Sequence, residues 1–226
     1  MAFELSSVEA RVLGCLLEKE RTTPEYYPLT LNSLIAACNQ TTNREPITSY
    51  DEKTVEQGLD ALRQKKLAMI VHSAGARVPK YRHNLFDHYV LRPPESSVLC
   101  VLLLRGAQTA GELRSRTERM CGPLTLPEIE ACLEELARGE DPLVRALPAR
   151  PGQKERRFVQ LLAGEPEITE PAVSLPVRAG QVSEKSRLDA LEGEVNSLKA
   201  EVLALREDLT NFKKQFGAPG ETGNQP

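Results

Sequence analysis

Apolar residues near the start of the chain recur at the three- and four-residue spacing of an amphipathic helix, at positions 8, 12, 13, 16 and 17. The sequence Ser6-Ser7-Val8-Glu9 precedes them. It has the form of a capping box, in which the first and fourth residues satisfy each other's backbone N–H groups at a helix start. The spacing and the cap together predict a helix from about Ser7 to Glu20.

The same pattern returns later in the chain. Glu9–Lys19 aligns with Glu95–Arg105, and Thr30–Leu34 aligns with Thr109–Leu113. The offset between the copies shrinks along the chain, so the first copy carries the longer loops. Thr109-Ala110-Gly111-Glu112 is again a capping box, which predicts a helix start there. We interpret the two copies as one duplicated domain.

Each copy contains three helical patterns followed by two β-prone segments. Three helices and a two-stranded hairpin form the winged helix, a variant of the helix-turn-helix. The predicted fold is therefore mainly α with small β-hairpins: two tandem winged-helix domains plus a C-terminal coiled-coil helix. Helices are predicted at about 7–20, 31–39, 52–66, 96–104, 110–120 and 126–138, and strands at about 67–72, 78–83, 143–147 and 157–162.

Further along, the apolar spacing changes to alternating steps of three and four, which is a heptad seam. In a parallel pair, Glu194 would meet Lys199 and Glu201 would meet Arg206, whereas an antiparallel pair sets like charges together. We predict a parallel two-stranded coiled coil; a single helix folded back onto its own domains is the alternative. The seam consists of Leu188, Leu191, Val195, Leu198, Val202, Leu205, Leu209 and Phe212.

These patterns give a predicted domain plan of five segments. The first winged-helix domain spans residues 1–91 and the second spans residues 92–163. A proline-containing linker, predicted to be disordered, spans residues 164–184. The coiled-coil helix spans residues 185–217, and residues 218–226 form a disordered tail.

Charge argues against a strong nonspecific DNA binder. The formal net charge of the chain is −3. Residues 1–91 sum to zero, residues 92–164 to +1 and residues 165–226 to −4, whereas a nucleic-acid footprint normally shows a basic excess. The five cysteines form no CxxC pair, so we predict buried, reduced thiols. The first residues do not resemble a signal peptide and no apolar run is long enough for a membrane span, which predicts a cytoplasmic protein.

Four irregular strings carry a resemblance to a known family: EARVLGCLLEKERTTPEYYPL, CNQTTNREP, LLLRGAQTAGELRSR and KERRF. They resemble the YceH-like family of uncharacterised bacterial proteins over about residues 4–162. The resemblance implies a tandem winged-helix fold, in agreement with the periodicity, and it implies no established activity. The coiled-coil tail is interpreted as an addition that the family pattern does not require.

The third helix of the first copy is the candidate recognition helix. Its polar face carries Lys53, Gln57, Asp60 and Gln64. Glutamine can recognise adenine edges and lysine can contact guanine or phosphate, whereas Asp60 opposes phosphate. An ordinary solvated helix face is an equally weighted alternative. The hairpin adds Arg77, Lys80 and Arg82, which suit phosphate contacts or simply keep a strand solvated.

The second copy distributes its charges differently. Its third helix carries Glu128, Glu130, Glu134 and Glu135, which makes it unsuited to a groove lined by phosphates. Basic residues lie elsewhere, where they either contact phosphate or pair with glutamates of the same copy. They are Arg114, Arg116 and Arg119 on the second helix, and Arg150, Lys154, Arg156 and Arg157 on the hairpin.

No catalytic constellation, cofactor motif or metal-ligand spacing appears, although His72 and His83 could face each other across the first hairpin. We therefore predict a non-enzymatic, dimeric DNA-binding regulator or accessory factor without a metal or cofactor. The alternative is a protein-interaction scaffold of the ScpB type, in which the acidic helix of the second domain meets a protein partner. The near-neutral domains favour that alternative.

Overall fold

The computed structural model describes residues 3–71, 78–148 and 155–164, together with Val202, Arg206 and Leu209. The chain divides into two units, Met1–Ile168 and Thr169–Pro226, and nearly all described residues belong to the first. The described part of this first unit contains six α-helices and small antiparallel sheets. This mainly helical architecture is consistent with a winged-helix-like fold.

The first repeat folds in the order helix, strand, helix, helix, strand, strand. Its sheet has the antiparallel order β1-β3-β2, with Ala68 opposite His83. His72, which could have faced His83 across the hairpin, lies outside the described residues, and the register places Ala68 across from His83. The elements are α1 (Ser7–Thr22), β1 (Leu29–Thr30), α2 (Leu31–Cys38), α3 (Glu52–Gln64), β2 (Ala68–Val71) and β3 (Lys80–His83).

The second repeat has the same element order and the equivalent sheet order, β4-β6-β5. Its short strand β4 pairs with β6, just as β1 pairs with β3. The elements are α4 (Pro93–Arg105), β4 (Gln108–Thr109), α5 (Ala110–Cys121), α6 (Leu126–Leu136), β5 (Val144–Ala146) and β6 (Arg157–Gln160).

Both predicted capping boxes are confirmed. The Ser6 hydroxyl accepts the Glu9 N–H at 3.2 Å and the Glu9 carboxylate accepts the Ser6 N–H at 2.7 Å. Thr109 and Glu112 exchange the same bonds at the start of α5. Helix α4 begins three residues earlier than predicted, because the Glu95 carboxylate accepts the Arg92 N–H at 2.7 Å and prolines occupy the first two helical positions.

A continuous apolar core runs through both repeats, and the first helices α1 and α4 pack closely within it. Gly14 is at the closest approach: a Cβ built there would lie 2.8 Å from Cδ2 of Leu104. The Cys100 thiol donates to the Gly14 carbonyl oxygen at 3.3 Å. Only a residue without a side chain leaves room for the Leu103 and Leu104 side chains of α4 against the backbone of α1. The two repeats therefore share one apolar interior.

The first described residues tie the two repeats together a second time. The Leu5 N–H donates to the Leu162 carbonyl oxygen at 2.7 Å, and Glu4 bridges to Ala163. The ring of Phe3 meets His88 edge-on, with centroids 5.3 Å apart. We call residues 3–5 the N-terminal strap. It joins the end of the second repeat to the connection that leaves the first.

In the second unit, Val202, Arg206 and Leu209 are helical. Val202 and Leu209 are exposed, with relative accessibilities of 50% and 55%. The other six residues of the predicted heptad seam lie outside the described residues, as do the predicted tail and nearly all of the predicted linker.

Candidate functional site

Helix α3 buries one apolar stripe and exposes a polar one. Val55, Leu59 and Leu62 are buried, and at Gly58 a Cβ would lie 2.7 Å from Val8, so α3 fits tightly on α1. The Asp51 carboxylate caps the helix by accepting the Thr54 N–H at 2.8 Å. The predicted contact residues Lys53, Gln57 and Gln64 all lie on the exposed face, together with Glu56 and Asp60.

The first hairpin lies beside this helix. Tyr81 and His83 of β3 are buried, so the alternating residues Lys80 and Arg82 point to the outer face. The pKa of Tyr81 is raised by its burial, and the charges of Asp60 and Glu56 on α3 add to that rise. The charges of α3 therefore reach Tyr81, and strand β2 of the same hairpin packs against α3. Arg82 is exposed and donates from Nε to the Met69 sulfur at 3.0 Å. Arg77 lies outside the described residues.

Helix α6 has the same apolar stripe and the opposite charge. Ile129, Leu133 and Leu136 are buried, whereas Glu130 and Glu134 are exposed. The other two glutamates have local partners. Glu128 accepts the Thr125 N–H at the helix start, and Glu135 pairs with Arg138 at 2.9 Å.

The basic residues of the second hairpin are only partly available to a ligand. Arg157 donates to the Ala107 carbonyl oxygen at 2.7 Å and lies 3.4 Å from the Glu112 carboxylate. It therefore anchors β6 to the turn before α5. Arg156 is exposed, and Arg150 and Lys154 lie outside the described residues.

Glu18, Arg44 and Arg119 meet where the two repeats are in contact, and we call this region the joint. It contains a buried charge that the sequence did not reveal. Glu18 of α1 is fully buried. Its carboxylate accepts bonds from Nη1 and Nη2 of Arg44 at 3.2 and 2.5 Å, and a further bond from Arg119 of α5. Burial alone would raise the pKa of Glu18, but the hydrogen bonds and charge of Arg44 outweigh it and hold this pKa below the ordinary value.

The loop between α2 and α3 is locked into the same joint. Arg11 of α1, itself buried, donates to the carbonyl oxygens of Cys38 and Pro46 at 3.2 and 2.6 Å. From the second repeat, Arg105 donates to the Asn43 side-chain oxygen at 3.1 Å, and the Glu45 N–H donates to the Leu104 carbonyl oxygen at 2.9 Å. Polar contacts from both repeats therefore fix the loop.

Two arginines of α5 pair with carboxylates of different repeats. Arg116 pairs with Glu112 of the same copy at 3.4 Å, as the ion-pair alternative predicted. Arg119 instead crosses to Glu18 of the first repeat. The four strings that resemble the YceH-like family all contribute to this region, through Glu18, Arg44, Arg105 and Arg157.

A second buried polar group supports the first hairpin. The Leu85 N–H donates to Nδ1 of His83 at 3.2 Å, so Nε2 carries the proton and donates to Glu20 at 3.0 Å. That hydrogen bond lowers the pKa of Glu20 and outweighs the effect of burial. The Tyr27 hydroxyl accepts the His83 N–H at 2.9 Å. These contacts hold β3 against the end of α1.

The described ranges of the first unit are residues 3–71, 78–148 and 155–164. Within them, no cluster of three or more His, Cys, Asp or Glu side chains is placed to hold a metal ion. Within the same ranges, none of the helices combines the length and the apolar character that crossing a bilayer requires. All five cysteines are unpaired, and four of them are buried.

Comparison with known proteins identifies the family. Residues 5–153 match the family described as "Protein of unknown function, DUF480". A UPF0502 protein from Geobacter sulfurreducens is 48% identical over 219 residues, which is 96% of this chain and 100% of the relative. A UPF0502 protein from Opitutus terrae is 54% identical over 175 residues, 76% of each chain. The chain belongs to the DUF480 (UPF0502) family of bacterial proteins, with which the YceH-like resemblance is consistent.

The residues covered by these matches show whether the C-terminal segment is shared with relatives. The family match ends at residue 153, in keeping with a tail that the family pattern does not require. The alignment with the Geobacter protein leaves only a few residues of this chain unmatched, so it includes most of the C-terminal segment. The segment is therefore shared with some relatives rather than particular to this chain.

Proposed function

We propose that this chain is a non-enzymatic, tandem winged-helix protein that binds double-stranded DNA as a regulator or accessory factor. Helix α3 is the recognition helix in this proposal. The observation that carries it is the exposed face of Lys53, Gln57 and Gln64 on the third helix of the first repeat. In helix-turn-helix folds the recognition helix supplies the base contacts.

The hairpin next to α3 supports the proposal. Lys80 and Arg82 face outward from β3, and strand charges of this kind position a protein on the phosphate backbone without reading sequence. The carboxylates Glu56 and Asp60 on α3 oppose phosphate, so binding of modest affinity with sequence preference fits better than strong nonspecific binding.

A parallel coiled-coil dimer completes the proposal. Val202 and Leu209 are helical, exposed and seven residues apart, which places them at the same heptad position. Two linked copies would engage two DNA sites with increased avidity. A cysteine introduced as Leu191→Cys should crosslink to its own copy in a partner chain. A monomeric mass at micromolar concentration would reject the dimer.

A specific observation also supports a scaffold as the second candidate. Glu130 and Glu134 project from α6, and a basic protein surface would complement them. In the scaffold candidate, the charges of α6 rather than those of α3 contact the basic protein partner.

A duplex titration across salt concentrations tests the proposal. Lys80→Ala should weaken binding to all sequences and lower the salt slope by about one unit. Gln57→Ala should instead relax sequence preference. Arg138→Ala is a matched control, since this exposed arginine lies just after α6 and pairs with Glu135. Absence of duplex binding at low salt would reject the DNA proposal and favour the scaffold.

A further inference from the structure

Four arginines lie along one side of the second repeat, and we call them the arginine cluster: Arg105 before α5, Arg116 and Arg119 in the second half of α5, and Arg157 on β6. Arg116 and Arg157 lie on opposite oxygens of Glu112, each at 3.4 Å. Arg105 is near enough to Arg116 and Arg119 for their charges to act on it. Glu112 therefore joins guanidinium groups from α5 and β6, and the charges of α5 reach Arg105 at the end of α4.

The two carboxylates that contact the arginine cluster directly are already engaged by other groups. Glu112 is already used as the cap of α5, where Oε2 accepts the Thr109 N–H at 2.9 Å. Glu18, the partner of Arg119, is already bound by both terminal nitrogens of Arg44. Glu45 also acts on Arg105, and the Glu155 carboxylate lies beside Gly111 at the start of α5. Counting Arg44, five guanidinium groups therefore face four carboxylates, those of Glu18, Glu45, Glu112 and Glu155.

Two donors in the cluster lack a protein acceptor. Nε of Arg105 and Nη1 of Arg116 are buried, and neither has a hydrogen-bond partner in the part of the chain that the structure describes. Buried donors are normally satisfied, and an unsatisfied one carries a free-energy penalty. The pKa of Arg105 is lowered, first by burial and then by the like charges of Arg116 and Arg119. A bound anion would relieve the repulsion among these groups.

We propose that the arginine cluster is a binding site for a phosphate-type oxyanion. The planar guanidinium fork matches the spacing of phosphate oxygens and can bind them in pairs. The side chains of Arg116, Arg157 and Arg119 are 27%, 36% and 43% exposed, so a ligand can reach them from solvent. One terminal nitrogen of each guanidinium group is already held by a neighbour: Arg116 by Glu112, Arg157 by Ala107 and Arg119 by Glu18.

The phosphoryl group recognised here has two sources, a free phosphate compound or the backbone of a nucleic acid. Neither source requires α3, so the oxyanion site stands independently of the recognition-helix proposal. The two sources are distinguished by measuring a small anion and a duplex on the same variants.

In the first arm the full chain is titrated with inorganic phosphate, and a titration with sodium chloride at the same ionic strength is the control. Binding is measured by calorimetry and by the phosphorus NMR line width. Wild type and the control Arg138→Gln should bind phosphate. Arg116→Gln should bind at least about tenfold more weakly, because charged hydrogen bonds are lost. Arg116→Lys should also bind more weakly, since it keeps the charge but loses the fork. Thermal unfolding confirms that each variant is folded.

The second arm measures duplex DNA binding by the same variants. Equal loss of phosphate and duplex binding in Arg116→Gln identifies backbone phosphate as the source, whereas loss of phosphate binding alone identifies a free phosphate compound. Phosphate binding without any duplex binding would reject the DNA proposal and keep the oxyanion site. Phosphate binding that is absent, or unchanged in both Arg116 variants, would overturn the oxyanion site.

Discussion

Helices α3 and α6 occupy equivalent places in the two repeats, bury the same pattern and expose opposite chemistry. Their buried residues follow one spacing, Val55-Leu59-Leu62 in α3 and Ile129-Leu133-Leu136 in α6. The exposed face of α3 mixes lysine and glutamine with carboxylates, whereas that of α6 is dominated by glutamate. The apolar stripe is what packing requires of a third helix, and the outer face is free to differ.

The first helices differ in a similar way at the joint. Glu18 in α1 aligns with Leu104 in α4, and both positions are buried. The same place in the fold therefore holds a buried ion pair in one repeat and an apolar contact in the other. The two repeats are consequently not interchangeable: one contributes an anion to the joint and the other contributes the arginine that reaches it.

Replacing Glu18 should give the largest loss of folding stability. Glu18→Ala leaves Arg44 buried without its carboxylate, and loss of one partner of a buried pair costs about 3–5 kcal/mol. Arg119→Ala removes a contact to the same carboxylate from a side chain that is 43% exposed, so its loss should be below about 1 kcal/mol. Denaturant unfolding of both variants measures the difference. Equal losses would show that the burial of Arg44 has no energetic consequence.

Crowding the contact between α1 and α4 should give the next largest loss of folding stability. Gly14→Ala places a methyl group 2.8 Å from Leu104, and such overpacking typically costs about 1–3 kcal/mol. The comparison is Gly111→Ala in α5, where the nearest atom to the new Cβ is 3.9 Å away. That variant should be neutral or stabilising by up to about 1 kcal/mol. Unfolding midpoints that shift equally would contradict a tight contact at Gly14.

The ion pair at the joint should also make stability depend on pH. The folded-state pKa of Glu18 is lowered, so its contribution is present above the unfolded value of about 4.3 and is lost as pH falls through the folded value. Wild type should therefore lose more unfolding free energy than Glu18→Gln between neutral pH and acid. The two stability curves should converge below about pH 4.3. Parallel curves would contradict an ionised Glu18.

The smallest expected change is in duplex binding by variants of α6, and it tests the contrast between α3 and α6 directly. Replacing both Glu130 and Glu134 with glutamine should leave duplex binding unchanged or slightly stronger, because neither side chain contacts phosphate in the proposed mode. Lys53→Gln in α3 should weaken binding. Fluorescence anisotropy with one duplex measures both variants. A clear loss of affinity in the α6 variant, with its fold intact, would reverse the assigned roles.

Local patterns in the sequence predicted local structure well. The capping boxes at Ser6 and Thr109 are local signals, and both helices begin where predicted. The start of α4 was missed because Arg92 is not a usual cap residue, although Glu95 supplies the reciprocal bond. Strands β1 and β4 are two residues long, which is too short for an alternating pattern. They form only because β3 and β6 supply partners.

The joint could not be predicted because its partners are distant in the sequence. Glu18 meets Arg44 across 26 positions and Arg119 across 101. In the sequence, Arg157 fits either a phosphate contact or a pair with a glutamate of the same copy, and only the packing shows that it lies beside Ala107 and Glu112. The placement of α3 and its polar face followed from the periodicity. The arginine cluster needed the packing of α4, α5 and β6 to become visible.

The N-terminal strap has a consequence for the order in which the chain folds. Leu5 takes its hydrogen-bond partner from Leu162, so a growing chain cannot form this contact until nearly all of both repeats has been synthesised. The face of α1 around Gly14 likewise stays uncovered until α4 emerges. The first repeat must therefore wait, partly unshielded, for the second. Contacts so far apart in sequence slow folding, and the interval before closure is when the nascent chain is most open to aggregation.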